Sequence, residues 1–413
     1  RDSTNDGQVS AIGGVGASLP GNLVLNFDVD GQLQIENQDT ISLTLTEGSS
    51  PTSAIDLLQG FSESSVIFTN TGDILSEAGV AVELGSQTSL DIENAEGATI
   101  INTGAGSGLV VSLDAPAVTA NITNAGLIEV AGEFRNAIEL SGLSGVDSVT
   151  NITTQATGIL RSIDGSGSAI QTFGQDGGFL NIDNDGVIEA TGASNSSFLS
   201  GTIFNGRSLQ GLAINNSNTI TAAGDVQSAI VIDAPGNVDN FTLENSGTIS
   251  VDGINHTTIN AQSRLTGQVT ITNTETGTLS ASGVASTVLN LRRVEGSVDL
   301  TNAGMITADN SATETQGGTF GPVIVIESTD TGLSSIEPFG IVNLTNEATG
   351  SITGAGETIR ISGFEEINVV NDGVIARIDG EFDRDNNGLV DLGSRGDISV
   401  SYTHLTLPTM DSV

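Results

Sequence analysis

The sequence predicts an all-β protein, a parallel β-helix of about 12 coils of roughly 30 residues with three strands per coil. Three observations predict it: a unit that recurs along the chain, apolar–polar alternation inside each unit, and a composition suited to short strands and tight turns.

The repeat comes first. FLNIDNDGVIEATG (179–192), NFTLENSGTISVDG (240–253), SVDLTNAGMITADN (297–310) and EINVVNDGVIARIDG (366–380) share one pattern. Alternating apolar residues lead to Asn, any residue, Gly, any residue and an apolar residue. The anchor positions are Asn37, Asn70, Asn94, Asn124, Thr154, Asn184, Asn216, Asn245, Asn273, Asn302, Asn346 and Asn371, and their mean spacing is about 30 residues. Stacked anchors are expected to form a ladder of side-chain amides along one corner.

Two residues before each anchor stands an apolar side chain: Ile35, Phe68, Ile92, Ile122, Ile152, Ile182, Ile214, Leu243, Ile271, Leu300, Leu344 and Val369. The residue between is polar except Val370. This period of two is that of a strand with one buried face. The turn after the anchor is expected to use the left-handed backbone region, which Asn tolerates and Gly enters freely. TQATGIL (154–160), NTETGTL (273–279) and NEATGSI (346–352) carry a longer turn that keeps the Gly-x-apolar step, so the next strand keeps its inward residues. A further apolar strand recurs about halfway between anchors, as in AIDL (54–57), LVVSL (109–113), AIEL (137–140), AIVI (229–232), VLNL (288–291) and VIVI (323–326).

Composition agrees. Of 413 residues 37% are hydrophobic, enough for a large core, while 53 are Gly and aromatics make up only 3%. Leucine-rich, nonapeptide calcium and immunoglobulin-like repeats require other spacings. A lone coil has too little apolar surface to order itself, so stability is expected to come from stacking. The expected organisation is an N-terminal cap or truncated first coil over 1–32, the repeat domain over 33–400, and a non-native tail over 401–413.

Net charge is −39, from 50 acidic and 11 basic residues, every basic one an Arg. Such a surface repels nucleic acid and anionic lipid, which excludes both as direct partners. With no Cys there is neither a disulfide scaffold nor thiol chemistry. No apolar run reaches the roughly 18 residues of a membrane helix. The chain opens at Arg1 without Met, which reads as a truncation.

Runs such as ITNAGLIEVAG (122–132), LENSGTISVDG (243–253) and LTNAGMITADN (300–310) resemble the passenger repeats of autotransporters, the type V secreted proteins of Gram-negative bacteria. The resemblance covers about residues 33–380. It implies a right-handed β-helix, exported through a C-terminal outer-membrane barrel, that serves adhesion, aggregation or biofilm formation. Partners would then be a host or neighbouring-cell surface, or further copies of the chain, and membrane attachment would run only through the barrel, which this sequence lacks. Filamentous-haemagglutinin-like exoproteins and phage tail fibres use related β-helices. The segment SYTHLTLPTMDSV (401–413) resembles translated sequencing-adapter read-through.

No catalytic residue is assigned. Outside the tail His256 is the only His, and a turn or strand role suits it better than a Ser-His-Asp arrangement. A polysaccharide lyase or hydrolase on the same fold is the rival reading; it would need converging carboxylates and sugar platforms, and the chain has no Trp. A structural fibre is the other alternative. One candidate cofactor site stands out. In FDRDNNGLVD (382–391), Asp383, Asp385, Asn387 and Asp391 alternate around Gly388 as in a calcium loop, although Ser394 stands where a bidentate Glu is usual. Longer excursions at 308–320 and 328–340 are expected surface loops. The Asn-x-Ser/Thr triplets at Asn121, Asn151 and Asn240 follow from the composition and carry no assigned function.

Overall fold

The computed structural model describes residues 23–27, 32–43, 53–57, most of 65–377 and 398–401; the larger gaps are 114–117, 142–146, 174–176, 193–200, 310–321 and 329–339. Among the described residues the regular elements are all β-strands, and they build two compact units. Every coil crosses three sheets in turn. An anchor strand ends at the Asn, an exit strand follows the turn, and a third strand closes the coil.

In the first unit (1–196 with 203–207) the anchor sheet stacks Gln32–Asn37, Ser65–Asn70, Ser89–Asn94, Thr119–Asn124, Val149–Thr154 and Phe179–Asn184. These strands pair in parallel with anchors opposite one another. Leu23–Phe27 runs antiparallel to the first of them and covers its free edge. The exit strands, such as Thr99–Asn102, Leu127–Ala131, Ile159–Ile163 and Val187–Gly192, and the third strands, such as Leu109–Leu113, Ile138–Ser141 and Ile170–Thr172, stack in the same parallel way.

The second unit (197–202 with 208–413) repeats the plan. Its anchor sheet runs Leu209–Asn216, Asn237–Asn245, Gln268–Asn273, Ser297–Asn302, Ile341–Asn346 and Glu366–Asn371. Its third sheet ends on Ile398–Ser401, paired with Ile359–Ser362. Three coils of the first unit, anchored at Asn124, Thr154 and Asn184, have every strand and its side chains described, as do five of the second, anchored at Asn216 through Asn346. The fully described coils are therefore about eight, with partial coils on either side, against the twelve counted from the anchors.

The core is a set of aliphatic columns. Ile92, Ile122, Ile152 and Ile182 stack in register, each 3% exposed or less. Ile214, Leu243, Ile271, Leu300 and Leu344 do the same in the second unit. On the exit sheet Ile220, Ile249, Leu279, Ile306 and Ile352 form another column, all fully buried. Burial of each such side chain is worth about 1.5–3 kcal/mol, and like on like keeps every rung the same width. The column loosens at Val369, which is only half-buried.

The turn works differently from the expectation. No anchor Asn has positive φ, and neither does Gly126 or its counterparts; among the described anchor turns the left-handed region is used after Asn94, at Gly97 (φ 80), and further left-handed residues lie at other corners, Asp164, Asn255, Ala285 and Arg293 among them. Gly is needed for a different reason. A Cβ on Gly126 would stand 2.2 Å from the Ala98 carbonyl oxygen and 2.5 Å from that of Ala95, so the corner admits no side chain. In the longer turns the Gly N–H bonds back three residues, as from Gly158 to Gln155 at 2.7 Å and Gly277 to Thr274 at 2.9 Å. Leu160 and Leu279 are then fully buried, as the conserved step requires. The turn after Asn94 belongs to this longer class too, with Ala98 bonding back to Ala95 at 3.0 Å, which the sequence pattern did not single out.

The 44-residue interval between Asn302 and Asn346 leaves the register intact, because the two amides still meet at 2.8 Å. Most of the two loop segments expected in that interval, 308–320 and 328–340, lies outside the described residues, which omit 310–321 and 329–339.

Candidate functional surfaces

The anchor amides come together along the inner corner. In the first unit Asn37 Nδ2 donates to Asn70 Oδ1 at 2.7 Å, Asn70 to Asn94 at 2.8 Å and Asn94 to Asn124 at 2.8 Å. In the second, Asn216, Asn245, Asn273, Asn302, Asn346 and Asn371 form an unbroken series at 2.7–2.8 Å. The amides from Asn37 to Asn124 and from Asn216 to Asn346 also reach main chain of their own or the next coil; Asn94 Nδ2, for example, donates to Leu127 O at 3.2 Å and Asn245 Nδ2 to Thr278 O at 3.2 Å. Asn suits this corner because one side chain carries both donors and acceptor, and a buried carbonyl needs the donor. Asn184 accepts from Gly186 N–H at 3.2 Å. Thr154 interrupts the first series: it is fully buried and its Oγ1 finds no hydrogen-bond partner. Asn371, at the last described rung of the sheet, is exposed.

A second ladder runs outside the anchor sheet. Asn121 Nδ2 donates to Asp91 Oδ1 at 2.7 Å, Asn151 to Asn121 at 2.8 Å and Asn181 to Asn151 at 2.8 Å. Asn343 donates to Asp299 at 2.7 Å and Asn368 to Asn343 at 3.0 Å in the other unit. The triplet residues Asn121 and Asn151 therefore hold neighbouring coils together, while Asn240 Nδ2 bonds Gln210 O at 3.1 Å on the surface.

Several described Arg residues pair with acids, Arg161 and Arg264 with acids one coil away and Arg360 with one in its own coil. Arg161 lies between Glu129 and Glu189, its direct register neighbours on the exit sheet. It pairs with Glu129 at 3.1 Å and also with Glu189. Arg264 pairs with Glu295, and Arg360 with Glu357. Arg207 is fully buried and donates from its guanidinium to the Phe173 carbonyl. No sequence pattern marked Arg207 as interior; a buried arginine is rare without hydrogen bonds of this kind.

His256 is 6% exposed and precedes the strand Thr257–Ala261. A Cβ on Gly253 would lie 1.9 Å from its Cε1, so the ring fills the space above that glycine. The calcium-loop residues Asp383, Asp385, Asn387 and Asp391 lie outside the described residues, as do residues 402–413 of the tail. Among the described residues no three acidic or His side chains are grouped to hold a metal.

The geometry defines the class: a parallel β-solenoid with three sheets, an interior amide ladder and polar outer rows. Set beside protein-family models, curated proteins and solved structures, the chain matches none of them.

Proposed function

We propose that the chain is the exported part of a bacterial surface protein. It is the non-catalytic passenger of an autotransporter-type adhesin, acting in adhesion, aggregation or biofilm formation. The observation that carries this reading is the in-register stacking of near-identical coils. Each new coil pairs its strands with those already folded, so such a structure grows rung by rung as chain is delivered from one end. It needs no disulfide to do so. The repeat style, with its Asn-x-Gly turns, supports the same reading, and the polar outer rows supply a long side wall for contact.

The test is display of residues 33–400 on a non-adherent Gram-negative cell through a heterologous outer-membrane barrel. The reading predicts faster settling of the cells and greater retention on glass or on a second cell layer than with the barrel alone. No gain in either assay, with surface display verified by protease accessibility, contradicts it.

A further inference from the structure

Two outer columns on the exit sheet of the second unit differ from their described counterparts in the first. That sheet's strands Thr219–Gly224, Thr248–Asp252, Thr278–Ser282, Met305–Asp309 and Ser351–Gly354 stack in register. Their inward residues are the aliphatic column described above, so the alternate residues face out. One outer column reads Thr219, Thr248, Thr278, Met305, Ser351. The next reads Thr221, Ser250, Ser280, Thr307, Thr353. Nine of these ten side chains are hydroxyls and none is charged. All nine hydroxyl residues are partly exposed.

In a chain of net charge −39 these two columns carry no charge, and the third outer column beside them, Ala223, Asp252, Ser282 and Asp309, sets two exposed carboxylates along their edge. The corresponding positions of the first unit carry Glu129, Arg161 and Glu189 beside Leu127, Ile159 and Val187. The spacing is fixed by the backbone. Hydroxyls repeat every ~4.8 Å from rung to rung and every ~6.6 Å along each strand. Ladders of side chains also oppose sheet twist, as where Thr353 bonds Thr307 at 3.1 Å. The result is a two-dimensional lattice of hydroxyls and methyls.

The two columns themselves offer a partner hydroxyls and methyls but no charge, which suits a neutral partner. It must be periodic in two directions to meet more than one rung. A second copy of the chain is a poor fit: the two columns cover on the order of 200 Å², whereas a stable protein interface takes about 800 Å² from each partner. A neutral glycan is usually gripped on aromatic faces, and neither column holds one. Crystalline water meets every requirement, because its surface is neutral, periodic in two dimensions and made wholly of hydrogen-bond donors and acceptors.

We propose that this hydroxyl lattice binds ice. The inference rests on the fold and stands apart from the secretion reading. The threonine methyls hold the side chains in fixed rotamers, so the hydroxyls and the water between them are ordered before contact.

The test is partition of the purified 413-residue chain into a slowly grown ice mass, with a non-binding protein of similar size in the same solution. The chain is expected to enter the ice while the control stays in the liquid. Ser280→Arg and, separately, Thr248→Tyr place a bulky group in the middle of the lattice and are expected to abolish the enrichment. Thr301→Lys, on the outer anchor face of the same unit, is expected to leave it unchanged. Unchanged circular dichroism shows that each variant is folded, and two lattice variants guard against failure of one. Exclusion of the parent chain from ice overturns the proposal, as does enrichment of both folded lattice variants. Retention on microcrystalline cellulose, or dimerisation in solution, without ice enrichment assigns the face to those partners instead.

Discussion

A single buried amide does more at the anchor than any aliphatic neighbour could. Asn245 accepts from Asn216 and donates to both Asn273 and the Thr278 carbonyl. Asn245→Leu strands those groups in a dry corner, and the expected loss is about 2–4 kcal/mol in urea unfolding. Thr154 is the converse case. Its unpartnered hydroxyl occupies an anchor position between Asn124 and Asn184 in the sheet register. Thr154→Asn is expected to stabilise by about 1 kcal/mol, read as a higher denaturation midpoint at unchanged slope. The anchors were legible in the sequence because a period of about 30 residues and a period of two are both written locally. The reason for the glycines was not. A close approach between coils depends on which carbonyl lies below, and nothing within the turn itself records that.

Turns and sheet faces are where sequence reading lost sight of partners. Gly126 sits against two carbonyls of the preceding coil. Gly126→Ala is therefore expected to cost about 1–3 kcal/mol by overpacking, and its midpoint of thermal unfolding should fall accordingly. Arg161 meets acids 28 and 32 residues away, a pairing set entirely by register. Its side chain is 33% exposed, so Arg161→Gln is expected to cost no more than about 1 kcal/mol, with the difference shrinking in high salt. The outer Asn121–Asn151–Asn181 series was hidden for the same reason. Asn121 and Asn151 looked like products of composition until stacking placed each beside the next.

At the scale of the whole molecule, the three-strand coil and the turn-to-strand order followed from periodicity alone. About eight coils are fully described, against the twelve that the anchors mark. The candidate calcium loop was the sharpest local motif, yet it lies in 378–397, outside the described residues. The surfaces that matter most to the functional reading arise only when rungs align, which is why no short motif announced them. In-register parallel stacking is thus the central claim, and the absence of Cys makes it directly measurable. Nitroxide labels at Ala213→Cys and Asn368→Cys sit on one outer column of the second unit, linked through Thr242, Thr270, Asp299 and Asn343. Five rungs at ~4.8 Å place the two backbones about 24 Å apart, although 155 residues separate them in sequence. Pulsed electron resonance should give one narrow distance distribution near that value, widened only by the label arms. A broad distribution, or a narrow one centred well beyond 40 Å, contradicts in-register stacking and the surfaces built on it.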